Sequence, residues 1–358
     1  MGRRIRLADE SDREEWNGVV EGSSASEVYH LYEWGELIEK TYDIRVKRLL
    51  AEDDGAAVGV LPFVSFKSAL FGGKIVSLPF SDYGGPCTLD DYSNCSKDLL
   101  KELVRIGDEL NVGFIELRMF PHDEEELFEL NFTRGFQAFT FRLDTRPPYE
   151  KIWSGYVKKI RKNIRKARRE GLRVVEARDR EDVEDFYRLY LGRMKDFGTP
   201  PAPLSFWLNM WDIFHPRDRM KLIFTVLSGE KIAGFVSLLF KRKLYYVLNV
   251  SSKEYWRHRG LNDLLFDWYI KYACENGYGL VDFGRTRGGT GILRFKEKGW
   301  GAERLPLNKY YLFFGGEKRN ILDVALSSNA YAKLWRTFVP TALTPTLGRW
   351  VRRKIGDV

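Results

Sequence analysis

Apolar positions recur along the chain with two periods, and these divide it into elements. Leu31, Trp34, Leu37 and Ile38 fall on one helical face, as do Leu99, Leu100, Leu103, Ile106 and Leu110. Between them lie three strand-like runs, Ile44 to Glu52, Ala56 to Phe66 and Lys74 to Phe80, with Asp53-Asp54-Gly55 as a hairpin turn between the first two. Ser11-Asp12-Arg13-Glu14 has the spacing of a capping box that opens a short helix through Trp16. A strand from Gly113 to Arg118, a short acidic helix and a strand near Phe136 to Leu143 give the order α α β β β α β α β.

Pro147-Pro148 marks a domain boundary. Beyond it Val157, Ile160, Ile164 and Ala167 form an apolar stripe, while lysines and arginines cover the other faces until Gly171. Asp179 caps a helix carrying Val183, Phe186, Tyr190 and Met194, and a further helix spans Phe206 to Phe214. Strands follow at Lys221 to Leu227, Lys231 to Lys241 and Lys243 to Ser251. A helix with Leu261, Leu264, Leu265, Trp268 and Tyr272 then runs to Gly277, and a buried strand spans Leu280 to Phe283. A short helix through Phe295-Lys296 and a strand from Leu307 to Phe314 complete this half. The second half repeats the element order of the first, which predicts two copies of one α/β module at 1–146 and 147–316, with an interdomain cleft as the natural ligand site. The segment 317–358 reads as amphipathic helices packed on the first module or laid on a membrane surface.

The length of 358 residues fits two domains, and 44% hydrophobic with 15% aromatic residues is ample for two cores. A formal charge of +8 favours an anionic partner. Cys87, Cys95 and Cys274 are odd in number and far apart, so neither a disulfide framework nor a zinc site is indicated. The four histidines are scattered, and HExxH, GxSxG and P-loop patterns are absent, which argues against a metal or histidine-based hydrolase. With no apolar leader and no run of about 18 apolar residues, the expected location is the cytoplasm, with peripheral membrane contact through the tail.

Three stretches carry candidate chemistry. In DFGRTRGGTGILRFKEKGW, a strand ends on Gly284 and Arg285, a glycine loop follows, and Phe295 and Lys296 pair an aromatic face with a mobile cation. That pairing suits a substrate with a ring and an anion. In SKEYWRHRGLN, a strand-to-helix junction carries Arg257, Arg259, Gly260 and Asn262, where free N–H groups and the helix dipole favour an anion. It resembles the pyrophosphate loop of GNAT acyltransferases, from which Asn262 departs. The basic helix KKIRKNIRKARREGL reads as a solvated face, a phosphate-backbone contact or a lipid-headgroup contact.

RFKEKGWGAE preceded by DFGRT, the basic helix, and the first-half loop PFSDYGGP together resemble the Fem family of aminoacyl-tRNA-dependent peptidyltransferases, which are tandem GNAT-like modules. The resemblance spans most of the chain, which is more like the compact members without a coiled-coil arm. It implies transfer of an aminoacyl group from tRNA to an amine of a nucleotide- or lipid-linked cell-wall or envelope precursor, with no bound cofactor. It implies Phe295 near the terminal nucleotide of the donor and Lys296 at the developing oxyanion, with Arg257, Arg259, Gly260, Asn262 and Arg285 on donor anions. Arg193, Lys40, Asp82 and Tyr83 fall to the acceptor, and Arg161, Arg165 and Lys166 to tRNA phosphates. Two other readings stay open: an acyl-CoA-dependent N-acyltransferase of the same fold, and a non-catalytic RNA- or membrane-binding protein.

Overall fold

The computed structural model describes residues 3–68, 72–120, 124–258, 260–287, 295–315 and 344–355. The chain forms two compact units. The first holds Met1–Ala138 and regains the chain at Pro306 and again at Trp350, while the second holds Phe139–Leu305 and, among the described residues, 344–349. The division falls within a strand at Ala138/Phe139, ahead of the Pro147-Pro148 punctuation, because Phe141 and Leu143 already pack into the second core.

In the first unit, β1 (Arg4–Leu7), β2 (Lys47–Asp53), β3 (Ala56–Ser68), β4 (Gly72–Val76), β6 (Val112–Met119) and β14 (Glu303–Phe313) lie side by side in that order, with β5 (Cys87–Thr88) added to β3. Neighbours run antiparallel except β4 and β6. That parallel pair needs a crossover, which α3 (Cys95–Glu109) supplies with its buried Leu99, Leu100, Leu103 and Ile106. Helices α1 (Arg13–Gly22), α2 (Tyr32–Tyr42) and α4 (Glu124–Glu129) complete the unit.

The second unit repeats the plan. Its sheet runs from β7 (Thr133–Asp144) through β12 (Leu280–Asp282), β11 (Lys243–Ser251), β10 (Glu230–Phe240) and β9 (Met220–Leu227) to β8 (Arg173–Glu176). Here β11 and β12 are the parallel pair, joined by α9 (Leu261–Glu275). Helices α5 (Tyr149–Gly155), α6 (Lys158–Arg169), α7 (Arg180–Phe197) and α8 (Leu204–Phe214) surround it, and β13 (Thr286–Arg287) pairs with β7. Each unit opens its meander with the same device: Asp54-Gly55 and Ser228-Gly229 both sit at positive φ as the two residues of a tight hairpin. Such a primed turn matches the right-handed strand twist.

Several expectations shift. The capping residue at the N-terminus is Asp9, whose carboxylate accepts from Ser11 N at 2.8 Å, while the Asp12 carboxylate accepts from Asp9 N at 2.8 Å. The run Lys74 to Phe80 leaves the sheet at Val76, and Leu78 and Phe80 adopt positive φ. Val157 precedes α6 as its cap and is exposed, so the buried stripe is Ile160, Ile164 and Ala167. The four-residue strands β1 and β8 are too short to show a period. Most of the glycine loop (Gly288, Gly289, Gly291), with Arg259 and the tail before Thr344, lies outside the described residues. The final helix, α10, spans Thr344–Ile355.

Candidate functional site

The strand β12 ends in a turn locked by its own last residue. The buried Asp282 carboxylate accepts from Thr140 Oγ1 at 2.7 Å, Arg142 Nε at 2.9 Å and Gly284 N at 2.8 Å. Phe283 N donates to Phe141 O at 2.8 Å, and Gly284 turns the chain at φ +67°. Asp282 therefore anchors the turn.

Onto this turn folds a one-turn π-helix, Phe295–Gly299. Its wider winding is seen mostly in single turns, often at functional positions. Lys296 is only 5% exposed, and its Nζ donates to Phe283 O at 2.5 Å, Gly284 O at 3.2 Å and Thr286 Oγ1 at 2.8 Å. Three acceptors match the three hydrogens of an ammonium. The rings of Tyr246 and Phe141 lie 5.3 and 5.9 Å from Nζ, within cation–π range. Lysine is thus not the solvated side chain that its sequence context permits. Phe295 stands beside it, half-buried, edge-on to Phe266 at 5.7 Å and to Trp300 at 5.8 Å. Arg285 lies half-buried in the same turn. A fixed cation next to a partly open ring can hold an aromatic ligand and meet negative charge as it develops, without reorganising.

The N-terminus of α9 packs closely on α6. Gly260 has φ +96°, and a Cβ there would stand 2.4 Å from Asn163 O of α6. Asn163 Nδ2 donates to Asp263 Oδ2 at 2.8 Å, in the first turn of α9. Asp263 is buried, and that burial raises its pKa above the ordinary carboxylate value. One turn on, the fully buried Asp267 accepts from Tyr149 Oη at 2.6 Å and Arg168 Nη2 at 2.7 Å, and burial again raises its pKa. Asn262 is exposed and accepts from Asn249 Nδ2 at 3.2 Å, and Arg257 is exposed. Gly260 is thus demanded by helix packing and backbone conformation. Asp263 and Asp267 escaped sequence reasoning, although their i, i+4 spacing put them on one helical face.

The basic helix splits into two populations. Arg161 donates to the carbonyls of Ser154 and Trp153 at the end of α5, Lys166 pairs with Glu170 at 3.4 Å, and Arg168 reaches Asp267. Lys158, Lys159, Lys162, Arg165 and Arg169 stay exposed. Arg193, near the end of α7, stacks between Phe197 at 4.1 Å and Trp256 at 4.5 Å.

In the first unit, Lys40 is exposed in the last turn of α2. Asp82 and Tyr83 follow the two left-handed residues, and the loop rests on aromatic contacts. Phe80 stacks on Tyr42 at 4.3 Å, while Tyr83 stacks on Phe120 at 4.8 Å and tilts against Tyr29 at 5.9 Å. Bulky residues at positive φ store strain that surrounding packing must hold, a feature that clusters at ligand-binding segments. Beneath it the buried Glu116 takes Arg118 Nε at 2.7 Å and Lys309 Nζ at 2.9 Å, and Arg118 Nη1 donates to Ser81 O at 3.3 Å. Among the described residues no group of side chains could hold a metal ion, and no helix is long and apolar enough to cross a membrane.

Residues 154–297 match the family model of the acetyltransferase (GNAT) domain. No curated protein sequence matches the chain. Among solved structures, FemX is 17% identical with a TM-score of 0.68, over 85% of this chain and 96% of its own. L-PGS from Bacillus licheniformis is 14% identical at a TM-score of 0.59, over 92% of this chain and 98% of its own. A tandem GNAT protein from the clavulanic acid biosynthesis pathway is 11% identical at a TM-score of 0.57, over 88% and 100%. With a GNAT domain match over residues 154–297 of its second unit and a fold shared with these structures, this protein has the GNAT fold and is an N-acyltransferase.

Proposed function

We propose that the enzyme forms an amide by passing an aminoacyl group from aminoacyl-tRNA to an amine of a cell-wall or envelope precursor. The observation that carries this reading is Lys296, a buried cation fixed by three acceptors in a π-helical turn beside a half-buried phenylalanine. Aminolysis of an ester needs orientation and a positive charge where the carbonyl oxygen becomes anionic. The acceptor nitrogen attacks the ester carbonyl carbon, the bond to the ribose oxygen breaks, and the nitrogen's proton passes to that oxygen. Lys296 meets the oxyanion by redirecting the hydrogen now on Thr286, whose hydroxyl can rotate to other partners where a backbone carbonyl cannot.

Acyl-CoA is the donor that a GNAT fold implies, and the described residues at the start of α9 do not fit its diphosphate. Asn163 packs against Gly260, and the buried Asp263 carboxylate places an acidic group in the first turn, where an anion would seek N–H groups. That disagreement favours a donor presented by RNA. On the resemblance, Lys40, Asp82 and Tyr83 in the first unit and Arg193 in the second serve the acceptor, and Arg257 and Arg285 serve donor anions.

A lipid-linked acceptor is favoured by one further observation. Helix α10 exposes Trp350, 62% accessible, and Leu347, 39% accessible, beside the exposed Arg349 and Arg353. An aromatic and an aliphatic side chain among cations suit an anionic bilayer surface.

The test is single-turnover transfer of radiolabelled aminoacyl groups from bulk charged tRNA, with cell extract supplying amines. Label appearing in an amide product supports the reading, and chemical analysis of that product identifies the acceptor. Label accepted from acyl-CoA but not from charged tRNA overturns it.

A further inference from the structure

Two exposed aromatic rings on the second unit bracket an arginine without being covered. Phe197, in the last turn of α7, is 51% exposed, and Trp256, after β11, is 48% exposed. The Arg193 guanidinium stacks between them at 4.1 and 4.5 Å. The arrangement is held from several sides: Trp256 Nε1 donates to Ser251 Oγ at 3.1 Å, and Asp196 is shared by Lys253 at 2.5 Å and Arg193 at 3.7 Å. A stack fixed in this way has lost its rotamer freedom before any ligand arrives.

The surroundings select the ligand. Lys253 and Arg257 are exposed beside Trp256, and the loop that carries them runs along α6, tied there by His258 to Glu170 at 3.1 Å and by Gly260 against Asn163. On α6 the same motif recurs, with Arg165 and Arg168 5.8 and 5.9 Å from the Trp153 ring. Taken alone, the helix sequence shows no alternation of rings and charges; the fold supplies the rings from α5, α7 and the loop after β11. A protein partner would ask for apolar neighbours around the rings, whereas Arg193 lies between them and Lys253 and Arg257 flank Trp256 along the chain, with Asp196 pairing Arg193 and Lys253. Flat faces next to closely spaced positive charges suit bases joined by phosphates, and the cationic track is longer than one diphosphate needs.

We propose that Trp256, Arg193 and Phe197 form a stacking platform for unpaired nucleotides of an RNA, with Lys253, Arg257 and the exposed face of α6 tracking its backbone. The inference rests on the reading of a charged RNA as donor and says where its single-stranded portion lies. Arg193, which the resemblance assigns to acceptor phosphates, belongs on this account to the donor.

The experiment is fluorescence anisotropy of the full chain with a labelled single-stranded RNA and the same sequence as a blunt duplex, in a salt series. Wild type should prefer the single strand. Trp256→Ala should weaken single-strand binding about tenfold or more with little change in duplex binding, and Trp256→Phe should stay within about threefold of wild type. The salt slope should persist in Trp256→Ala and fall in Lys253→Ala/Arg257→Ala, because stacking releases no counterions and phosphate contacts do. Unchanged affinity in Trp256→Ala, with its melting temperature intact, overturns the platform. So does displacement of the RNA by a free nucleoside diphosphate at equal concentration, which would assign the stack to a nucleotide-linked acceptor. Trp256-dependent RNA binding with no transfer from any charged tRNA upholds the platform and rejects the donor reading. Transfer that is indifferent to Trp256→Ala and Phe197→Ala does the reverse.

Discussion

Replacing Lys296 by methionine separates its structural work from its chemical work. Methionine keeps most of the stem volume and removes three hydrogens that Phe283 O, Gly284 O and Thr286 Oγ1 accept. Each buried carbonyl deprived of a donor costs about 1–3 kcal/mol, whereas the threonine hydroxyl can turn elsewhere. Against this, the variant no longer keeps an ammonium out of water, a relief of several kcal/mol that the lost cation–π contacts partly cancel. The net expectation is a loss of about 2–4 kcal/mol. Losing a fixed positive charge at an oxyanion costs about 10²–10³ in rate. The two effects are similar in energy, so a rate alone cannot tell them apart. Urea unfolding followed by tryptophan fluorescence gives the first. Single-turnover transfer at a temperature where the variant stays folded gives the second. A stability within about 0.5 kcal/mol of wild type would refute this net loss. A transfer rate within threefold of wild type would remove Lys296 from the chemistry.

Three further outcomes are expected. Gly260→Ala should destabilise the second unit by about 2–5 kcal/mol, combining a left-handed backbone with a Cβ 2.4 Å from Asn163 O, and a melting temperature within a degree of wild type would sink that account. Thr286→Val should slow transfer about tenfold while Thr286→Ser keeps it, measured under single turnover; equal rates in all three proteins would mean that the hydroxyl does not position the Lys296 ammonium for reaction. Asp267 is protonated more readily in the folded chain than in the unfolded one, because burial raises its pKa above the ordinary 3.8. The folded state therefore holds more protons from that value upward. Its stability falls as pH rises through the folded-state pKa, then levels. Asp267→Asn should flatten this slope in urea titrations, and an unchanged slope would assign it to other groups.

Much of the fold was legible because its signals are local. Asp53-Asp54-Gly55 and Ser228-Gly229 announce hairpins through residues that tolerate positive φ, and the stripes of α3 and α9 announce helices with one buried face. The repeated order predicted two modules, and each unit does carry an antiparallel meander, a crossover helix and a parallel strand. Phe295 and Lys296 stood out as a pair of suggestive chemistry. What the sequence could not disclose is that Lys296 is buried, because its partners are carbonyls thirteen and twelve residues back and a hydroxyl ten back across a loop. Asp282 likewise takes its partners from 142 and 140 residues away, at Thr140 and Arg142. No period or spacing encodes such pairs; they exist only once strands are set side by side.

The two carboxylates on α9 connect fold and chemistry. Burying Asp263 and Asp267 opposes folding, and replacing such groups with well-packed apolar side chains is often neutral or stabilising. What they provide is register: Asn163 meets Asp263 and Arg168 meets Asp267, so α6 can sit on α9 in one position only. In that position the backbone of Asn163 packs against Gly260 and leaves no room for a Cβ there. This docking engages Arg168, the end of α5 engages Arg161, and Lys158, Lys159, Lys162, Arg165 and Arg169 face outward. One packing arrangement thus sets where an extended cationic face lies. A helix that merely solvated its charges would need neither the buried acids nor the glycine at φ +96°. Their joint presence argues that the position of the basic helix, and not its charge alone, is what the second unit is built to hold.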